Sequence, residues 1–166
     1  MDIGFLIARI VLGGLMAAHG AQKLFGWFGG YGLAGTSGFF ESLGFRPGRL
    51  FATAAAVGEI ASGLLIAFGL FGPIGPAILV SIMIVAAVSV HWHGVFATSN
   101  GVEVPLLYAT GAIALALSGF GRYSLDAVLG LGHFWTPAVV AGALAAGALG
   151  GIVNLSLRRT VVTAAN

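Results

Sequence analysis

Cysteine is absent from the 166 residues. That excludes disulfides, thiolate metal sites and direct thiol–disulfide chemistry by this chain. Charge is scarce too. Seven basic and five acidic residues make up 7% of the chain, against 58% hydrophobic residues. A soluble domain carries charge on about a quarter of its positions, so this chain is built for lipid. No basic run exists, and a net charge of +2 gives no footing for nucleic acid. There is no phosphate loop, nucleophile elbow or zinc signature, which leaves covalent hydrolysis unsupported. The start makes a poor signal peptide. Asp2 spoils the basic leader and Arg9 interrupts the apolar run, so the first segment is expected to be retained.

What is present is a series of long apolar stretches. Five can be marked: Ile3 to Phe25, Leu50 to Phe71, Ile74 to His91, Val104 to Gly119, and Pro137 to Leu157. They are too long and too continuously apolar for barrel strands, and a helical crossing needs roughly 17–25 residues. The expected fold class is therefore all-α, an integral membrane helical bundle forming a single domain over residues 1–166. Gly72-Pro73 forces a tight reversal between the second and third segments. Pro105 suits a first helical turn. Thr136 is a candidate cap for the fifth helix, and Arg158-Arg159 a stop. Residues 26–49 and 91–103 are Gly-rich and aromatic, too apolar for free linkers. The first is expected to be re-entrant or interfacial, with Trp27, Phe28 and Tyr31 at headgroup depth. Two small-xxx-small patterns, Gly58 to Ser62 and Gly147 to Gly151, allow close helix contacts. Packing within the chain is the expectation, with a homo-oligomer through the fifth helix as the alternative. The bias of Lys and Arg places the amino terminus outside and the carboxyl terminus in the cytoplasm.

With so few charges, their positions carry information. Around a helical wheel at about 100° per residue, Arg9, His19 and Lys23 share a sector of about 80°, with Gln22 at its edge. This polar stripe is expected to face the bundle. Glu59 is the acid inside an apolar segment. An ionisable group in hydrocarbon is normally turned inward and paired, and Lys23 or Arg9 is its natural partner. Either the pair only locks the bundle, or it serves a ligand. His91 and His93 flank Trp92. A metal would need further ligands at fixed geometry and a haem a facing axial ligand, so neither is assigned. Glu103 complements the positive end of the fourth helix, and Tyr108 can donate a hydrogen bond inward. Arg122 and Asp126 stand four apart in a polar turn and are expected to pair, with Ser124 opening a short helix.

The stretch His19-Gly20-Ala21-Gln22-Lys23-Leu24-Phe25-Gly26, then Gly35-Thr36, Phe39-Phe40, Gly44 and Pro47, resembles the DoxX family of small bacterial and archaeal membrane proteins. Glu59, Asn100 to Leu107 and Gly121 to Asp126 extend the resemblance over residues 3–126. It implies a four-helix transmembrane core, to which residues 134–159 add a fifth helix. It also implies a place in the bacterial or archaeal cytoplasmic (inner) membrane. The family takes its name from a subunit tied to thiosulfate:quinone oxidoreduction and terminal quinol oxidation.

The functional expectation is a membrane redox subunit interacting with quinone. His19, Gln22, Lys23, Glu59, His91, Glu103 and Tyr108 are the candidate ligand-binding residues, and Arg9, Arg122 and Asp126 are structural polar residues. Quinone is the suspected cofactor. The expected partners are the bilayer, a quinone-like small molecule and a redox protein that supplies electrons. Two alternatives remain: a non-catalytic scaffold recruiting a redox partner, or a small-molecule or proton pathway using the same buried charges.

Overall fold

A computed structural model describes residues 1–159, and every regular element among them is helical. In order these are α1 (Asp2–Phe25), a 3-10 turn (Trp27–Gly29), α2 (Gly32–Ser42), α3 (Gly48–Phe68) and α4 (Ile74–Ser89). A second 3-10 turn (Ala97–Ser99), α5 (Glu103–Ser118), α6 (Leu125–Val128), a third 3-10 turn (Leu131–Phe134) and α7 (Pro137–Ser156) follow. Helix ends follow local chemistry. α1 stops where Gly26 turns left-handed (φ 76°) and its N–H bonds the Gln22 carbonyl, and α3 stops at Gly69 (φ 63°). Such a cap suits glycine, which has no Cβ to clash. Thr136 caps α7 by accepting from Val139 N, with Pro137 in the first turn. Ser124 opens α6 in the same manner, accepting from Ala127 N.

α1, α3 and α7 are long and apolar enough to cross a bilayer. α4 and α5 have 16 residues each, about 24 Å at 1.5 Å per residue, against a hydrocarbon core of about 30 Å. α4 is shorter than the apolar run that contains it, because Val90 and His91 fall in the flanking turn, while α5 takes in Glu103 and ends before Gly119. The 26–49 stretch holds a helix too short to span, α2, which packs on α1 and α3.

Successive spans alternate in direction. At one end, where the chain begins, Asp2 Oδ1 accepts from Arg122 N beyond α5. Asp126 accepts there from Phe71 N and Gly72 N between α3 and α4, and Trp135 covers Gly72 just before α7. At the far end, Arg158 Nε donates to the Leu43 carbonyl and Arg159 N to the Gly44 carbonyl. The chain is thus an all-α membrane bundle: α1, α3, α4 and α5 form the core and α7 is added beside α4.

Glycines set the closest approaches. A Cβ at Gly13 would stand 2.3 Å from the Gly63 carbonyl oxygen, and one at Gly20 would stand 2.6 Å from that of Ala56. α1 and α3 therefore touch backbone to backbone over two turns. The Gly147–Gly151 motif is used inside the chain as well, since a Cβ at Gly147 would lie 2.3 Å from the Ala77 oxygen of α4. Met16, Ile66, Leu79, Met83 and Ala112 fill the space between the core helices.

Candidate functional site

The α1–α3 contact brings Lys23 and Glu59 together. Side chains on a helix lean toward its N-terminus. α1 and α3 run in opposite directions, so Lys23 leans back into the bundle while Glu59 leans toward the far end, and the two converge. Lys23 Nζ pairs with Glu59 Oε1. The Glu59 side chain is 1% exposed and that of Lys23 25% exposed, so the acid is sealed and the base reaches the edge. Glu59 Oε2 is buried and has no hydrogen-bond partner.

Other polar groups surround this pair. His19 Nδ1 bonds Gln22 Oε1 at 3.1 Å, and Gln22 Nε2 donates to the Phe28 carbonyl at 3.2 Å. His19 is exposed on the bundle surface and so does not share the buried position expected for the whole stripe. It still lies within electrostatic reach of Lys23, Glu59 and His91, and Tyr108 lies within reach of Glu59. His91 Nδ1 is buried without a partner. Thr36 Oγ1 donates to the Lys23 carbonyl at 3.3 Å, fixing the last turn of α1. No sequence pattern signalled that α2 would supply this contact.

Arg9, Glu103 and Asp126 take partners away from Glu59, and the expected Arg122–Asp126 pair is corrected. Arg9 does not meet Glu59. It is buried (1% exposed) near the other end of α1, where Nη1 and Nη2 donate to the Ala67 and Tyr123 carbonyls and the guanidinium lies over Phe120. It satisfies a carbonyl in the last turn of α3, where a cation is favoured. Asp126 does not pair with Arg122. Two backbone N–H donors at the α3–α4 turn claim its carboxylate, at 2.8 and 2.7 Å, while Arg122 stacks on Tyr123. Glu103 does not bond its own helix. Its carboxylate accepts from Ala97 N at 2.8 Å, closing the 91–103 connection on itself. His93 is exposed and stands apart from the half-buried His91. Among the described residues no group of three or more His, Asp or Glu side chains could hold a metal ion.

Two clefts lie at the end where the chain begins. One, of about 500 Å³, runs between α1 and α5 past Gly4, Phe5, Ala8, Leu12, Gly111 and Ala114. The other, of about 400 Å³, lies among Phe120, Ser124, Asp126 and Trp135. Neither is lined by Lys23 or Glu59. The first stops at Leu12 and Gly111, one helical turn short of Tyr108.

The family model for DoxX matches residues 4–92. The chain belongs to the DoxX family. The matched stretch of this DoxX protein covers α1 to α4 and so includes His19, Gln22, Lys23, Glu59 and His91. No curated protein and no solved structure matches the chain.

Proposed function

We propose that this DoxX-family protein is a membrane redox subunit that interacts with quinone beside Lys23 and Glu59. One observation carries the reading: Glu59 is sealed in an apolar bundle, yet only one of its two oxygens is partnered. A buried polar atom left without a partner costs about 1–3 kcal/mol. A protein that only needed a lock would gain by satisfying it. A ligand hydroxyl, such as a quinol's, would donate to Oε2, and a quinone carbonyl would accept from it once Glu59 holds a proton. A quinone brings two carbonyls that gain electrons and protons. In this reading Lys23 Nζ and His19 donate to such a carbonyl, Tyr108 lies within electrostatic reach of the same acid, and Glu59 Oε2 holds a proton. His19 is exposed and marks the side from which a ligand would enter. The α1–α5 cleft offers a path for an apolar tail up to the turn below Tyr108. Electrons come from a partner redox protein.

By the positive-inside rule the far end, with Lys23, Arg46, Arg49, Arg158 and Arg159, faces the cytoplasm of a bacterial or archaeal cell. The test is binding of ubiquinone and menaquinone analogues to the purified chain. Lys23→Ala and Glu59→Gln each weaken binding. Unchanged affinity in both variants overturns the reading.

A second reading, a scaffold for a redox partner, is favoured by the tight α1–α3 contact around the pair and by clefts that open elsewhere. It predicts that Glu59→Gln lowers stability while any associated activity stays proportional to folded protein.

A further inference from the structure

Four arginines at the far end have no role in the site above. Arg46, Arg49, Arg158 and Arg159 are all exposed, and the ion pair among the described residues, Lys23–Glu59, involves none of them. In sequence they form two groups separated by four spanning helices, α3, α4, α5 and α7. The fold joins the groups. Arg158 Nε donates to the Leu43 carbonyl, and Arg159 N donates to the Gly44 carbonyl at 2.9 Å. Gly44, at φ 93°, makes room for the contact: a Cβ there would stand 2.2 Å from the Arg159 oxygen.

The connection that carries Arg46 is held firmly. Phe45 is buried, with ring centroids 5.8 Å from Phe40 and 5.3 Å from Phe51. Glu41 Oε1 accepts from Gly48 N at 3.1 Å. Among the described residues Glu41 is the acid of this connection, and its Oε1 is already engaged by Gly48 N. Apolar surface begins directly beside the cations. Leu50, next to Arg49, is 63% exposed, and Leu157, next to Arg158, is 54% exposed. Arginines adjoining exposed leucines are the profile of a site at the boundary between headgroup and acyl chain.

We propose that the arginines at 46, 49, 158 and 159 form a binding platform for the headgroup of an anionic phospholipid. The planar, multiply donating guanidinium suits a phosphodiester, and the acyl chains run along Leu50 and Leu157. The platform ties the carboxyl end of α7 to the α2–α3 connection, so bound lipid clamps the added helix to the core.

The experiment uses the full chain in neutral detergent, titrated with phosphatidylglycerol, phosphatidylcholine or inorganic phosphate. Bound lipid is counted by native mass spectrometry and stabilisation is read by thermal unfolding. Phosphatidylglycerol is expected to bind in preference to phosphatidylcholine and to raise Tm. Arg46→Gln and Arg49→Gln each weaken its binding roughly fivefold, the effect of about one basic side chain at a membrane surface. Arg46→Lys/Arg49→Lys keeps most of the preference, and Arg122→Gln, at the opposite end, keeps all of it. Equal binding of the two lipids by the wild type overturns the proposal. So does a preference that survives Arg46→Gln/Arg49→Gln, or one lost equally in Arg122→Gln. Stabilisation by inorganic phosphate matching that by phosphatidylglycerol overturns the lipid assignment.

Discussion

Removing Lys23 leaves the Glu59 carboxylate in the bundle interior with neither of its oxygens paired. The loss of one partner from a buried pair costs about 3–5 kcal/mol. The Lys23 side chain is 25% exposed, so some water reaches the vacated side, and the low end of that range applies. Lys23→Met is thus expected to destabilise by about 3 kcal/mol. At about 2–4 °C per kcal/mol for a chain of this size, Tm falls by about 6–12 °C. Glu59→Met costs less, about 2 kcal/mol, because an unpaired Lys23 can extend to the bundle edge. The double variant removes both charges and their desolvation together, and it should lie within about 1 kcal/mol of wild type. The cycle then gives a coupling of at least about 4 kcal/mol. Thermal unfolding of the four proteins in one detergent measures it. A coupling under about 0.5 kcal/mol is what an exposed pair gives, and it would refute the placement of Glu59 in a water-poor interior. The double variant also separates structure from function. If it folds like the wild type but loses quinone-analogue binding, the charges serve the ligand rather than the bundle.

Three further outcomes follow from the geometry. Asp126→Ala leaves the Phe71 and Gly72 N–H donors at the α3–α4 turn without their acceptor, and it should cost about 3 kcal/mol by denaturant unfolding; Arg122→Gln, whose charge has no carboxylate partner, should cost under about 0.5 kcal/mol. Gly13→Val forces α1 away from the Gly63 carbonyl and should abolish a stable fold, whereas Gly142→Ala, with open space around it, should leave Tm unchanged or slightly raised. Because the chain has no cysteine, single cysteines report topology cleanly: Ser42→Cys should be shielded from an impermeant maleimide in whole cells and Ser118→Cys labelled, and the reverse pattern would invert the orientation.

The resemblance read from His19 to Gly26 and from Glu59 holds over α1 to α4. The helical architecture was legible because long apolar runs without alternation have one solution in lipid, where every backbone N–H must bond within its own segment. The caps at Ser124 and Thr136 were legible for a similarly local reason, since a hydroxyl before a helix reaches N–H groups two or three residues on. The partner of Glu59 was not. Arg9 and Lys23 share a stripe, so a wheel cannot choose between them. The intended Arg122–Asp126 pair failed because spacing describes one helix, while two backbone donors from a distant turn compete for the same carboxylate.

Composition and periodicity alone determined the solvent, the helices and the short list of charges worth following. These are properties of each segment by itself. Depth and neighbourhood belonged to the folded chain. Arg9 and Lys23 lie fourteen residues apart, about 21 Å along α1, so only the antiparallel crossing with α3 decided which one reaches Glu59. The same is true of the far-end arginines. They become one platform because four spans, α3 to α5 and α7, bring the end of α7 back to the α2–α3 connection, and charges combine according to distance in space rather than along the chain.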